Sequence, residues 1–209
     1  MTKSLSEAVV TFDESAVLTI VEQKLADNTD PISVVRELQE GMRIVGEKFN
    51  EGTYFLSELL MSADLFTRSM KMLEPKLVGI TQDVIGKIVL GTPKGDIHDL
   101  GKNIFRDVAK AAGFEIHDLG IDVPVDKFVA KIEEVKPDIV GMSALITTGF
   151  ETMKQIVDTL VEKGLRDQIK VIVGGGVITE TVQTHVGADA HTTDALQGVA
   201  ICKEFMGIA

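Results

Sequence analysis

Apolar positions along the chain change their rhythm near residue 87. Before it they recur at helical intervals. LSEAVV (5–10) opens the pattern, Asp13 is placed to cap the run 15–28, and Pro31 sits where proline suits a first helical turn. In FLSELLMSADLFTRSMKML (55–73), Phe55, Leu56, Leu59, Leu60, Ala63, Phe66, Met70 and Leu73 follow one helical stripe. Met61, Met70 and Met72 read as core. Four helical runs in so short a segment predict a small bundle. From Lys87 the apolar runs are short and rich in Val and Ile: KIVLG, EIHDLG, DIVGMSAL, KVIVGGG and a weaker AHTTD. Each precedes a helical pattern, which is the signature of βαβ units and a parallel sheet with helices on both faces. The predicted class is α/β: an N-terminal four-helix bundle over 1–80, then a flavodoxin- or Rossmann-like doubly wound parallel sheet of five strands over 81–209. KLVGITQDV (76–84) lacks a clean pattern and reads as the linker.

Composition narrows the picture. The 209 residues are 44% hydrophobic but only 5% aromatic, without Trp, which suits aliphatic packing. A net charge of −11 makes nucleic acid and anionic membranes poor partners. Cys202 is the single cysteine, so disulfide frameworks and cysteine-based zinc clusters are excluded, and it reads as a small buried hydrophobe. No run reaches the ~18 apolar residues of a membrane span, and no basic stretch precedes an apolar leader. The expected location is the cytoplasm.

Ligand loops in such sheets lie beyond the carboxyl ends of strands. Here those ends are TPKGDIHDLG, ALITTG, GGGVIT and TTD, all rich in Gly, Thr, Ser or Asp. In the first, Asp96 stands two residues before His98. Residues two apart in extended backbone face the same side, so carboxylate and imidazole can touch. A carboxylate on one ring nitrogen fixes the tautomer and raises the basicity of the other, as a metal-binding histidine requires. Gly91, Gly95 and Gly101 would let something large approach the backbone. One histidine cannot hold a bare metal ion, so the metal would have to arrive inside a macrocycle. Lys94 and Lys102 flank the loop, either to meet a ligand's amides or phosphate or as surface solubilisers. His117 and His185 read as structural or solvated.

The motifs then carry a specific resemblance. Asp96-Ile97-His98-Asp99-Leu100-Gly101 is similar to the D-x-H-x-x-G motif of cobalamin-binding domains, Ser143-Ala144-Leu145 to their S-x-L, and Gly174-Gly175 to their G-G. GEKFNEGTYFLSELLMSA resembles the helical cap of corrinoid methyl-carrier proteins and of cobalamin-dependent methionine synthase. The likeness implies that His98 replaces the cofactor's own base as lower axial ligand of cobalt, with Asp96 on its far nitrogen. It implies that the displaced nucleotide tail runs past Ser143, Leu145, Thr147, Gly174 and Gly175, and that Phe49 and Leu56 cover the upper cobalt face. The implied cofactor is cobalamin, as methylcobalamin or a Co(I) corrinoid. The implied role is a carrier without catalytic residues of its own. A substrate-specific methyltransferase would load a methyl group from methoxylated aromatics (as in O-demethylase systems), methanol or methylamines. A second methyltransferase would pass it to tetrahydrofolate or coenzyme M, and a reductive activating protein would complete the system. The chain departs from the pattern at Gly149, where methionine synthase continues its relay with a serine, at Ser57 in place of a cap proline, and at His191 near a usual tyrosine. A cobalamin-binding sensor is the alternative, though the acidic chain has no DNA-binding segment.

Overall fold

A computed structural model describes residues 3–77 and 84–208. The chain divides into two compact units, Met1–Asp83 and Val84–Ala209. Residues 78–83, most of the segment read as a linker, lie outside the described residues.

The first unit consists, among the described residues, of α1 (Leu5–Val10), α2 (Glu14–Ala26), α3 (Pro31–Asn50) and α4 (Leu56–Leu77). Local chemistry sets the starts. Ser4 and Glu7 form a reciprocal capping box, Asp13 accepts the Ala16 N–H, and Asp30 accepts the Ile32 N–H just ahead of Pro31. Leu5, Val17, Val21, Leu38, Val45, Leu59 and Leu73 are buried in the bundle core. Gly41 permits close approach of α3 to α1, since a Cβ there would lie 2.8 Å from the Val9 Cβ.

Two expectations are corrected in α4. The helix runs through Pro75 to Leu77, two residues into the segment 76–84 read as the linker. The apolar stripe is buried at Leu59, Ala63, Phe66 and Leu73, but Phe55, Leu56, Leu60 and Met61 are exposed at the head of the helix, Phe55 by 71%. Met70 and Met72 are half-buried, so none of the three methionines belongs to the fully buried core.

The second unit alternates β1 (Lys87–Gly91), α5 (Leu100–Ala111), β2 (Glu115–Asp118), α6 (Val125–Val135), β3 (Ile139–Ser143), α7 (Thr148–Glu162), β4 (Lys170–Gly174), α8 (Glu180–Val186), β5 (Ala190–Thr192) and α9 (Ala195–Phe205). A short 3-10 turn, Arg166–Gln168, precedes β4. All pairings are parallel in the order β2-β1-β3-β4-β5, the flavodoxin-like arrangement. Val89, Val140, Met142, Val171 and Val173 pack on one face against Phe128, Met153, Ile156 and Leu160. Leu90, Gly141 and Ile172 stand in register across β1, β3 and β4. The chain leaves β1 for one side of the sheet and returns for β3 on the other. Beyond the carboxyl ends of these neighbours lies the crevice where doubly wound sheets bind ligands.

Candidate functional site

The loop after β1 is tied down before any side chain chemistry enters. The Thr92 N–H donates to the Gly120 carbonyl, the Gly95 N–H to Asp122 Oδ1 at 2.8 Å, and Thr92 Oγ1 to the His98 carbonyl at 3.3 Å. Gly95 holds φ +93°, a conformation that favours glycine. Gly91 serves packing rather than ligand clearance, because a Cβ there would come within 2.6 Å of the Phe128 ring. Gly101, in the first turn of α5, has nothing within 4 Å of where its Cβ would be.

Asp96 is completely buried. Its Oδ1 accepts the backbone N–H of His98 at 2.9 Å and lies 2.7 Å from His98 Nδ1. Its Oδ2 accepts the N–H groups of Leu145 at 2.6 Å and Ile146 at 3.0 Å. The pair is therefore held by an Asx turn from Asp96 to the backbone two residues on, and not by strand alternation. Burial alone would raise the Asp96 carboxyl. The His98 and Leu145 N–H groups, the His98 ring and the Ile146 N–H outweigh it and hold the group below the usual carboxylate range. An ionised Asp96 keeps the imidazole proton on Nδ1 and leaves the lone pair on Nε2. The His98 side chain is 49% exposed, and Nε2 has no hydrogen-bond partner among the described residues.

The serine relay ends here differently. At Gly149 an added Cβ would lie 3.8 Å from Asp96 Oδ2, so a serine hydroxyl would be near, but the Leu145 and Ile146 amides fill that role. Nothing in the residue types of Leu145 and Ile146 announces this, since the contact is made by main chain.

A cavity of about 120 Å³ opens beside the loop, between the carboxyl ends of β1, β3 and β4 and the starts of α5 and α9. Ser143, Gly174, Gly175 and Gly101 line it, with Gly141, Phe105 and the 192–195 turn, which includes the TTD segment. Leu145 and Thr147 do not line it. Leu145 instead gives its N–H to Asp96, and Thr147 stands exposed ahead of α7. Gly175 has φ +132° and an added Cβ would sit 1.9 Å from the Ala144 carbonyl oxygen, so the S-x-L and G-G loops are in direct backbone contact. Phe49, near the end of α3, is half-buried and Leu56 opens α4 exposed, both in the helical unit. Lys102 is neither a solubiliser nor free for a ligand: it is 3% exposed and its ammonium contacts both Asp118 oxygens and Asn103 Oδ1. His117 and His185 are paired with Glu115 and Glu151, and His191 with Gln183.

The residues fit a corrin-bound metal. No three His, Cys, Asp or Glu side chains converge for a bare ion among the described residues. His98 offers one oriented nitrogen, and exposed Ile97, Leu100, Leu145, Ile146 and Val177 give the surrounding loops an apolar surface that a macrocycle could cover.

Family models agree. A B12 binding domain matches residues 86–200 and a second B12 binding domain model matches residues 1–74. A dimethylamine corrinoid protein of Methanosarcina mazei is 38% identical over 98% of this chain and 95% of its own length. A crystal structure of a cobalamin-binding protein from Desulfitobacterium hafniense aligns with TM-score 0.76 and 40% identity over 96% of each chain. The methanol:cobalamin methyltransferase complex MtaBC of Methanosarcina barkeri gives TM-score 0.88 at 27% identity, over 98% of this chain and 78% of that one. No described helix is long and apolar enough to cross a membrane. The chain belongs to the B12-binding corrinoid proteins, and its cofactor is a corrinoid.

Proposed function

We infer that this chain carries a methyl group on the cobalt of its corrinoid and works with methyltransferases that load and unload it. The supporting observation is His98, half-exposed at the switch point, with Nδ1 held by a buried carboxylate and Nε2 unpartnered among the described residues. When bound, the corrinoid supplies a cobalt centre that takes up and gives back a methyl group. The protein orients and shields it. Asp96 fixes the tautomer of His98, whose Nε2 would hold the cobalt of the bound corrinoid. Gly101 leaves clearance beside it, and Ser143, Gly174 and Gly175 line the way proposed for the nucleotide tail, with Leu145 and Thr147 on the neighbouring loop. Phe49 and Leu56, by family likeness, are the residues that keep water from the methyl group. No side chain of this chain is proposed as acid, base or nucleophile toward substrate.

The relatives named for dimethylamine and methanol systems favour a small methylated amine or methanol as donor over a methoxylated aromatic. A second methyltransferase acting on tetrahydrofolate or coenzyme M, and a reductive activating protein, complete the proposed set. The test is direct. The protein loaded with cobalamin and reduced should be methylated by an amine- or methanol-specific methyltransferase, as followed in the visible spectrum. Corrinoid binding with no methylation by any such enzyme would overturn the carrier reading.

A further inference from the structure

Every main-chain polar group of Gly95 and Asp96 is hydrogen-bonded, and two of those bonds go to one residue, Asp122, on the loop between β2 and α6. Asp122 Oδ1 accepts the Gly95 N–H at 2.8 Å, and the Asp122 N–H donates to the Asp96 carbonyl at 3.1 Å. The Thr148 hydroxyl donates to the Gly95 carbonyl at 3.3 Å, and the Asp96 N–H to the Pro93 carbonyl at 3.2 Å. Asp122 holds φ +52°, in the left-handed region. Phe12, Asn28 and Lys136, the other non-glycine residues there among those described, stand at or just past the ends of α1, α2 and α6, where that conformation terminates a helix. Asp122 terminates none. Its side chain and its N–H instead both engage the loop that carries His98. The Asp122 loop is anchored in turn, since the Leu119 N–H donates to the Leu90 carbonyl at 2.8 Å and the Gly120 N–H to Asp118 Oδ1 at 2.9 Å.

We propose that Asp122 is a positioning residue for His98. It fixes the main chain of Gly95 and Asp96, 27 positions from Gly95 in sequence, and so sets where the Asp96 carboxylate sits and where His98 Nε2 points. The inference rests on the reading of His98 as cobalt ligand. Both Asp96 oxygens are committed, one to His98 and the other to the Leu145 and Ile146 amides. A displaced Asp96 main chain therefore cannot keep both sets of bonds, and the half-exposed imidazole is the part with room to move. Groups behind a metal ligand are felt as metal affinity because they hold the ligand's orientation. A residue that merely fastened the loop would change stability and leave the metal's coordination alone.

The experiment loads the full chain, labelled with 15N-histidine, with cobalamin and compares four proteins. Asp122→Gly keeps the left-handed turn and the N–H but loses the acceptor. Asp122→Asn keeps an accepting Oδ1 and tolerates the same φ. Ile132→Val, a change inside the core of the same unit, controls for lost stability. In the wild type the axial nitrogen splitting of the Co(II) electron paramagnetic resonance signal should respond to the label. In Asp122→Gly part of the signal should stop responding, and cobalamin affinity should fall about tenfold. Asp122→Asn should stay within about twofold of wild type, and Ile132→Val should keep the full response. In a His98→Ala background, Asp122→Gly should no longer change cobalamin affinity. A full histidine response in Asp122→Gly, or an equal affinity loss in the His98→Ala background, would overturn the positioning role and leave His98 as ligand. A wild type that does not respond to the label would instead overturn the ligand reading itself.

Discussion

His98 Nδ1 lies 2.7 Å from Oδ1 of Asp96, and the same oxygen takes the His98 backbone N–H at 2.9 Å. One carboxylate oxygen therefore fixes both the ring and the main chain of a single residue. Its other oxygen is spent on Leu145 and Ile146. Asparagine cannot reproduce this, because its amide nitrogen would face donors instead of accepting from them. Asp96→Asn should cost about 2 kcal/mol of stability in denaturant unfolding, and lower corrinoid affinity by about 10- to 100-fold.

The same group predicts an acid response. Its folded pKa is lowered, so its contribution is complete above the unfolded carboxylate pKa of about 3.9 and is lost as pH falls through the lower folded value. Stability of the cofactor-free wild type should fall as acid passes that range, and Asp96→Asn should fall less steeply. Parallel curves for the two proteins would remove Asp96 from this role.

His98→Ala removes one hydrogen bond from the buried Asp96 carboxylate and should cost the cofactor-free protein about 1–2 kcal/mol, the His98 main-chain N–H and the Leu145 and Ile146 amides remaining in place. A second effect should appear on the metal. The Co(II) electron paramagnetic resonance spectrum of the loaded wild type should show splitting from one axial nitrogen that responds to 15N-histidine labelling. The variant's spectrum should not respond.

Two glycines should behave oppositely. Gly175→Ala drives a methyl to 1.9 Å from a backbone oxygen at a φ of +132°, so neither side chain motion nor backbone relaxation absorbs it. A loss of about 3–4 kcal/mol, or failure to fold, is expected in thermal unfolding. Gly101→Ala meets nothing within 4 Å in a helical turn and should stabilise the cofactor-free protein by up to about 1 kcal/mol, while weakening cobalamin binding.

Lys102→Met removes a buried ammonium from Asp118, which keeps the Gly120 N–H at 2.9 Å and Arg106 at 3.3 Å. The expected cost is about 3 kcal/mol in denaturant unfolding. A selective loss of cobalamin binding would make Lys102 a ligand contact.

Strands and helices of the second unit were legible because each element carries its own period: KIVLG became β1 at the residues read, and the run KVIVGGG gave β4 over its first five residues, Lys170–Gly174. Asp96 and His98 were legible because their spacing and residue types state a chemistry. Tertiary partnerships were not. Lys102 looked like a loop-flanking cation because nothing near it in sequence reveals Asp118, 16 positions away. Gly91 looked like clearance for a ligand because Phe128 comes from another element. The head of α4 continues the same apolar stripe as its buried part, so periodicity alone could not separate exposed Phe55 and Leu60 from buried Leu59 and Phe66.

The clamp on Asp96 spans 49 and 50 residues of chain. During synthesis on the ribosome, His98 emerges well before Leu145 and Ile146 exist to hold its carboxylate neighbour. The imidazole is thus unaimed until β3 has docked beside β1. A truncated or half-assembled polypeptide has the D-x-H-x-x-G letters but not the clamped geometry, and cofactor capture becomes a late checkpoint on a finished sheet.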